Sequence, residues 1–130
     1  MSSVYEAFDR FIGNNRPAYK EIDALSFKEA IDIILRTRGI PVLAHPGLNK
    51  KDYLIPDMVK LGLRGLEVFS FSHTPDVTDH YLKLAKEYKL LVTGGSDCHG
   101  NSESGLLIGQ IRLPMIFVEK LKQEAMRMKR

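Results

Sequence analysis

Helix-like and strand-like stretches take turns along most of this chain, and that alternation commits it to an α/β fold with parallel strands. Three short apolar runs, at residues 40–44, 65–69 and 90–93, suit strands buried on both faces. Between them the apolar spacing is helical. Ser26 followed by Glu29 forms a capping box that opens a helix through Arg38, with Ala30, Ile31, Ile34 and Leu35 as its buried stripe and Gly39 as its terminator. A second helix is predicted over 53–61, with Pro56 in its first turn and Gly62 closing it. A third runs from Pro75 through Lys89 with Val77, Tyr81, Leu84, Ala85 and Tyr88 at helical spacing, and a last one covers 114–128. Residues 4–12 read as a short helix stopped by Gly13, and 105–112 as room for a short extended segment. Three or four parallel strands result.

Bulk properties exclude several classes. A chain of 130 residues, 44% hydrophobic and 27% charged, is sized and composed for one compact soluble domain. Its net charge of +3 permits a mild attraction to polyanions without implying one, and much of the excess sits in the last residues from Lys120 to Arg130. The single cysteine, Cys98, excludes an intrachain disulfide framework. No stretch is apolar for long enough to span a bilayer or serve as a secretory signal, so a reducing cytoplasm is the expected setting.

The positions of the polar residues carry the functional signal. His45 ends the first run, Glu67 to His73 straddle the end of the second, and Asp97 to His99 lie just beyond the third. In barrels and open parallel sheets that edge holds the active site, and packing alone does not require His or Asp there. If Asp97-Cys98-His99 is extended, residues one and three face one side, so a carboxylate and an imidazole converge while Cys98 points away. Such a donor pair suits Zn, Mn or Fe. Plainer readings stand beside these. His45 before Pro46 could cap a loop, and Glu67 could be a buried, hydrogen-bonded carboxylate. His73 could be a loop residue preceding a helix start, and Cys98 a packed thiol. His80, between Asp79 and Tyr81 on a helix, reads as a solvated surface residue. Gly94-Gly95-Ser96 lacks the Lys-Ser/Thr ending of a phosphate-binding loop, and Lys50 reads as part of a solvated basic loop.

Ala44-His45-Pro46-Gly47 after one strand and Gly95-Ser96-Asp97-Cys98-His99-Gly100 after a later one resemble the late motifs of the PHP (polymerase and histidinol phosphatase) metal-dependent phosphoesterases. The segment Ala7-Phe8-Asp9-Arg10-Phe11-Ile12-Gly13 with Pro17-Ala18-Tyr19, and Gly65-Leu66-Glu67-Val68-Phe69 leading to His73, look like the subgroup that dephosphorylates nucleoside 3′,5′-bisphosphates or trims RNA from its 5′ end. The resemblance implies a partial (β/α)7 barrel, about half of a distorted TIM-like barrel, with 1–130 as the C-terminal portion of the domain. It implies His45, Asp97 and His99 as ligands of divalent metal ions (Mn, Zn or Fe), with Glu67 orienting a ligand or a water and His73 donating to a substrate phosphate. The implied chemistry is hydrolysis of phosphomonoesters or phosphodiesters of nucleotides or RNA ends, with metal ions polarising phosphoryl oxygens and activating water.

The family's early His-x-His motif has no counterpart, since the four histidines are His45, His73, His80 and His99. The chain therefore reads as a fragment of a longer domain, and by itself it is expected to bind metal weakly and to be inactive. A half-barrel leaves strand edges to be covered by the missing half or by a second copy. The alternative is a non-catalytic half-barrel acting as a binding or assembly module.

Overall fold

The computed structural model describes residues 4–21, 24–100 and 107–129. At its centre is a parallel sheet of three strands in the order β1 (Val42–Leu43), β2 (Gly65–Ser70), β3 (Leu91–Gly95). Helices α1 (Val4–Ala7) and α2 (Phe27–Arg36) precede the sheet. Helices α3 (Pro46–Asn49) and α4 (Ile55–Leu61) link β1 to β2, α5 (Pro75–Glu87) links β2 to β3, and α6 (Met115–Met128) ends the fold. Each strand thus returns through helix to a parallel neighbour, as the alternating sequence pattern requires.

One core joins the elements. Leu66 and Val68 of β2 are fully buried against Ile31 of α2, Ile55 and Met58 of α4, and Tyr81 and Ala85 of α5, with Leu63 and Val92 completing the cluster. Each aliphatic side chain so enclosed contributes about 1.5–3 kcal/mol. On the β3 side α6 docks by its Phe117 ring, 5.7 Å from that of Phe69.

Several boundaries differ from those predicted, each for a local reason. The first strand is only Val42–Leu43 because Pro41 has no N–H to give the ladder, and its carbonyl instead accepts from Arg64 and Gly65. The capping box forms as predicted, Ser26 Oγ accepting from the Glu29 amide while Glu29 accepts from the Ser26 amide. The helix it opens stops at Arg36, not Arg38, where Thr37 Oγ1 donates to the Ile33 and Ile34 carbonyls. Arg38, not Gly39, takes the left-handed conformation there (φ 61°). Gly39 serves by close approach, since a Cβ on it would lie 2.8 Å from Ile34 Cγ2. At the amino end α1 passes into a π-helical turn, Phe8–Ile12, whose apolar residues are exposed. Residues 105 and 106 of the predicted extended segment lie outside the described residues; 107–112 contain no strand and begin with a turn from Leu107 to Gln110.

Candidate functional site

His45 lies just past the carboxyl end of β1 and Asp97 just past that of β3, while Glu67 sits in the middle of β2, the strand between them. Between Glu67 and Phe69 the β2–β3 register slips by one residue. Bulges of this kind re-aim side chains and leave the extra residue outside the ladder. Here the extra residue is Val68, and its carbonyl is bonded to His73 Nδ1 at 2.8 Å.

Glu67 is half-buried and sits between the flanking strands. Its Oε2 accepts the backbone N–H of His45 at 2.8 Å. Its Oε1 faces Gly95 so closely that a Cβ there would lie 3.2 Å away. The carboxylate therefore ties β2 to the end of β1, with one of its oxygens committed to the backbone of His45 and the other lying beside Gly95 of β3.

His45 itself is left-handed (φ 30°, ψ 57°) and precedes Pro46. Such backbone is uncommon outside glycine and persists where neighbouring contacts enforce it. Among the described residues its Nδ1 is the single buried side-chain nitrogen or oxygen without a hydrogen-bond partner. Buried polar atoms are nearly always bonded, so an imidazole nitrogen left bare at a strand edge is chemically poised as a donor to a cation or a substrate.

His73 has a different occupation. Its Nδ1 must donate, because the Val68 carbonyl can only accept, and its Nε2 must accept the Gly47 N–H at 3.1 Å. Both nitrogens are thus engaged by backbone, which fixes one neutral tautomer. His99 contrasts with it: Nδ1 donates to the Asp97 carbonyl at 2.7 Å, which leaves Nε2 with its lone pair. Asp97 is left-handed (φ 52°). The extended geometry expected of Asp97-Cys98-His99 therefore does not hold, and the thiol of Cys98 donates to the Gly100 carbonyl at 3.8 Å. Among the described residues no three His, Cys, Asp or Glu side chains converge on one point. The donor types fit a divalent ion, two imidazoles and a carboxylate, but they are not gathered into a coordination shell.

Sequence reading missed Asp52, and it gave no site role to Tyr81 or, beyond membership of the His45 motif, to Gly47. His80, expected to be simply solvated, bonds through Nε2 to Asp52 Oδ2 at 2.6 Å, and Tyr81 donates its hydroxyl to Asp52 Oδ1 at 2.7 Å. Tyr81 was legible only as a core residue of its helix. Nothing local in the sequence joins it to Asp52. Beside His73 a groove of about 310 Å3 opens between Phe69, Ser70, Thr78 and Arg112.

Comparison with known proteins bears on this edge. The chain is 41% identical over 83 residues to a phosphoribosyl 1,2-cyclic phosphate 1,2-diphosphodiesterase of Eggerthella lenta, a match covering 62% of this chain and 31% of the relative. It is 30% identical over 114 residues to a 3′,5′-nucleoside bisphosphate phosphatase of Chromobacterium violaceum, covering 84% of this chain and 40% of the relative. A 5′-3′ exoribonuclease of Haemophilus influenzae is 30% identical over 104 residues, covering 76% and 38%. A solved structure from Bifidobacterium adolescentis, of a protein proposed to be a metal-dependent phosphoesterase, superposes with a TM-score of 0.77 at 28% identity over 92% of this chain and 44% of that one. The chain is a relative of the metal-dependent phosphoesterases. The resemblance to the PHP-type phosphoesterases carried by the His45 and Asp97 to His99 motifs is thereby borne out. An amidohydrolase from Chromobacterium violaceum, solved with sulfate and without metal, superposes with a TM-score of 0.72 at 26% identity over 92% of this chain and 44% of that one. No family model matches the chain. It spans less than half the length of each of these phosphoesterase relatives. Among the described residues no helix is long and apolar enough to cross a membrane.

Proposed function

We propose that this chain forms part of a PHP-type phosphoesterase barrel that hydrolyses phosphate esters of nucleotides or RNA ends, with His45, Asp97 and His99 as its share of the metal ligands. The observation that carries this reading is the bare, buried Nδ1 of His45 at the strand edge. It is supported by relatives whose names describe a cyclic phosphate diphosphodiesterase, a bisphosphate phosphatase and an exoribonuclease. The three-stranded parallel sheet would supply part of a distorted (β/α)7 barrel, the remaining strands pairing at its free edges.

In this reading a divalent ion (Mn, Zn or Fe), when bound, polarises the phosphoryl oxygens and lowers the pKa of a water. The chain's own residues position it. Glu67 fixes the backbone of His45 by accepting its N–H, and His99 presents Nε2 because its Nδ1 proton is held by the Asp97 carbonyl. His73 supports the His45 loop, and its donating to a phosphate would require one of its two backbone bonds to open. The groove beside His73 is lined by Thr78, Arg112 and the carboxylate of Asp79, so Arg112 is its one cationic side chain toward an anionic substrate.

Phosphate release tests the proposal. The chain, alone and joined to the portion of the Chromobacterium violaceum phosphatase that it lacks, is incubated with a nucleoside 3′,5′-bisphosphate and Mn2+. The joined protein is expected to release phosphate, and His45→Ala within it to abolish release. A well-folded joined protein without metal-dependent release would contradict the reading.

A further inference from the structure

Gly47, Asp52 and Tyr81 form one connected device with His73. Tyr81 is 2% exposed and its ring stacks on that of His73, with centroids 5.4 Å apart and planes at 23°. Its hydroxyl proton is held firmly, burial first and the bond to Asp52 second pushing its pKa well above the ordinary tyrosine value. His73 in turn spans from the bulged Val68 carbonyl to the Gly47 amide, on the turn that begins at His45. There is no slack in that contact, because a Cβ on Gly47 would lie 2.8 Å from His73 Cδ2 and Nε2 and 2.9 Å from Val77 Cγ1. At the far end of the same segment Asp52 receives Tyr81 and His80.

The segment from His45 to Asp52 is thus pinned at three places, by Glu67 at the His45 amide, by His73 at the Gly47 amide and by Tyr81 with His80 at Asp52. A left-handed, pre-proline His45 is locally strained and persists only under such over-determination. We infer that Tyr81 is a positioning residue for His45, acting through its stack on His73 and its hydroxyl bond to Asp52. The consequence for metal binding rests on the proposed role of His45; the conformational consequence does not.

Nuclear magnetic resonance on the intact chain separates the two. In the parent the Gly47 N–H···Nε2 His73 bond should give a nitrogen–nitrogen coupling across the hydrogen bond and slow exchange of the Gly47 and His45 amides. Tyr81→Leu should abolish the coupling and speed exchange at both amides at least tenfold while the Leu66 and Val92 amides stay protected. Tyr81→Phe, which keeps the ring, and Asp52→Ala, which removes the acceptor while keeping every core side chain, should each give a smaller change in the same direction. If Tyr81→Leu does not fold, these two variants decide the matter alone. Unchanged Gly47 and His45 amides in whichever variants fold would overturn the inference. Mn2+ affinity is read in parallel and should fall with the coupling. A parent that binds no Mn2+ would sink the metal reading while the exchange data still decide the role of Tyr81.

Discussion

The Glu67 carboxylate accepts the backbone N–H of His45 at 2.8 Å, tying the end of β1 to the middle of β2 through a side chain. Bonds to a charged acceptor contribute about 1.5–3 kcal/mol, and an amide left without one loses that much. Glu67→Ala is therefore expected to lower stability in urea denaturation by roughly that amount. Glu67→Gln, which keeps an acceptor oxygen, should lose less than half of it. Equal losses would mean that the hydrogen bond to His45 is not what Glu67 contributes.

Two glycines near Glu67 and His73 should respond unequally to a methyl group. At Gly47 the added Cβ would meet the His73 ring and Val77 together, at 2.8 and 2.9 Å, with neither able to withdraw easily. At Gly95 it would meet only Glu67 Oε1, at 3.2 Å. Overpacking of the first kind costs about 1–3 kcal/mol. Thermal unfolding should thus rank Gly47→Ala as clearly the more damaging, with Gly95→Ala close to the parent. The reverse order would mean that the turn after His45 is looser than described.

How much of this was legible in the sequence follows from which interactions are local. The Ser26–Glu29 box, the helical stripe of α5 and the strand around Leu66 are written within a few residues of themselves and were predicted correctly. The placement of His45 and Asp97 just past strand ends followed from apolar runs giving way to polar residues, whereas Glu67 lies inside its strand. What escaped was set by contacts distant in sequence. The stack of Tyr81 on His73, the bond from Tyr81 to Asp52 and the bulge at Val68 have no local signature. The extended geometry expected of Asp97 failed because one left-handed residue turns the chain, which aspartate tolerates better than most side chains and which alternation rules do not anticipate.

The capping box makes a prediction with a pH sign. The Ser26 hydroxyl first, its backbone N–H second and Lys28 more weakly hold the Glu29 carboxyl below its ordinary value. A lowered folded-state pKa means that the contribution is complete above the ordinary glutamate range and lost as pH falls through the lowered value. Ser26→Ala should lower the melting temperature by a few degrees at neutral pH, and the gap between parent and variant should narrow as the solution is acidified. A gap that stays constant down to strong acid would show that the Glu29 charge plays no part.

The central claim, that the strand edge carries part of a metal site, is tested most directly by isothermal titration of the purified chain with Mn2+ and Zn2+, beside a His45→Ala, Asp97→Ala, His99→Ala variant. The expected result is measurable, weak binding by the parent that disappears in the triple variant while circular dichroism shows the fold retained. Equal uptake by both proteins, or none by either, would contradict the assignment of these three residues as ligands.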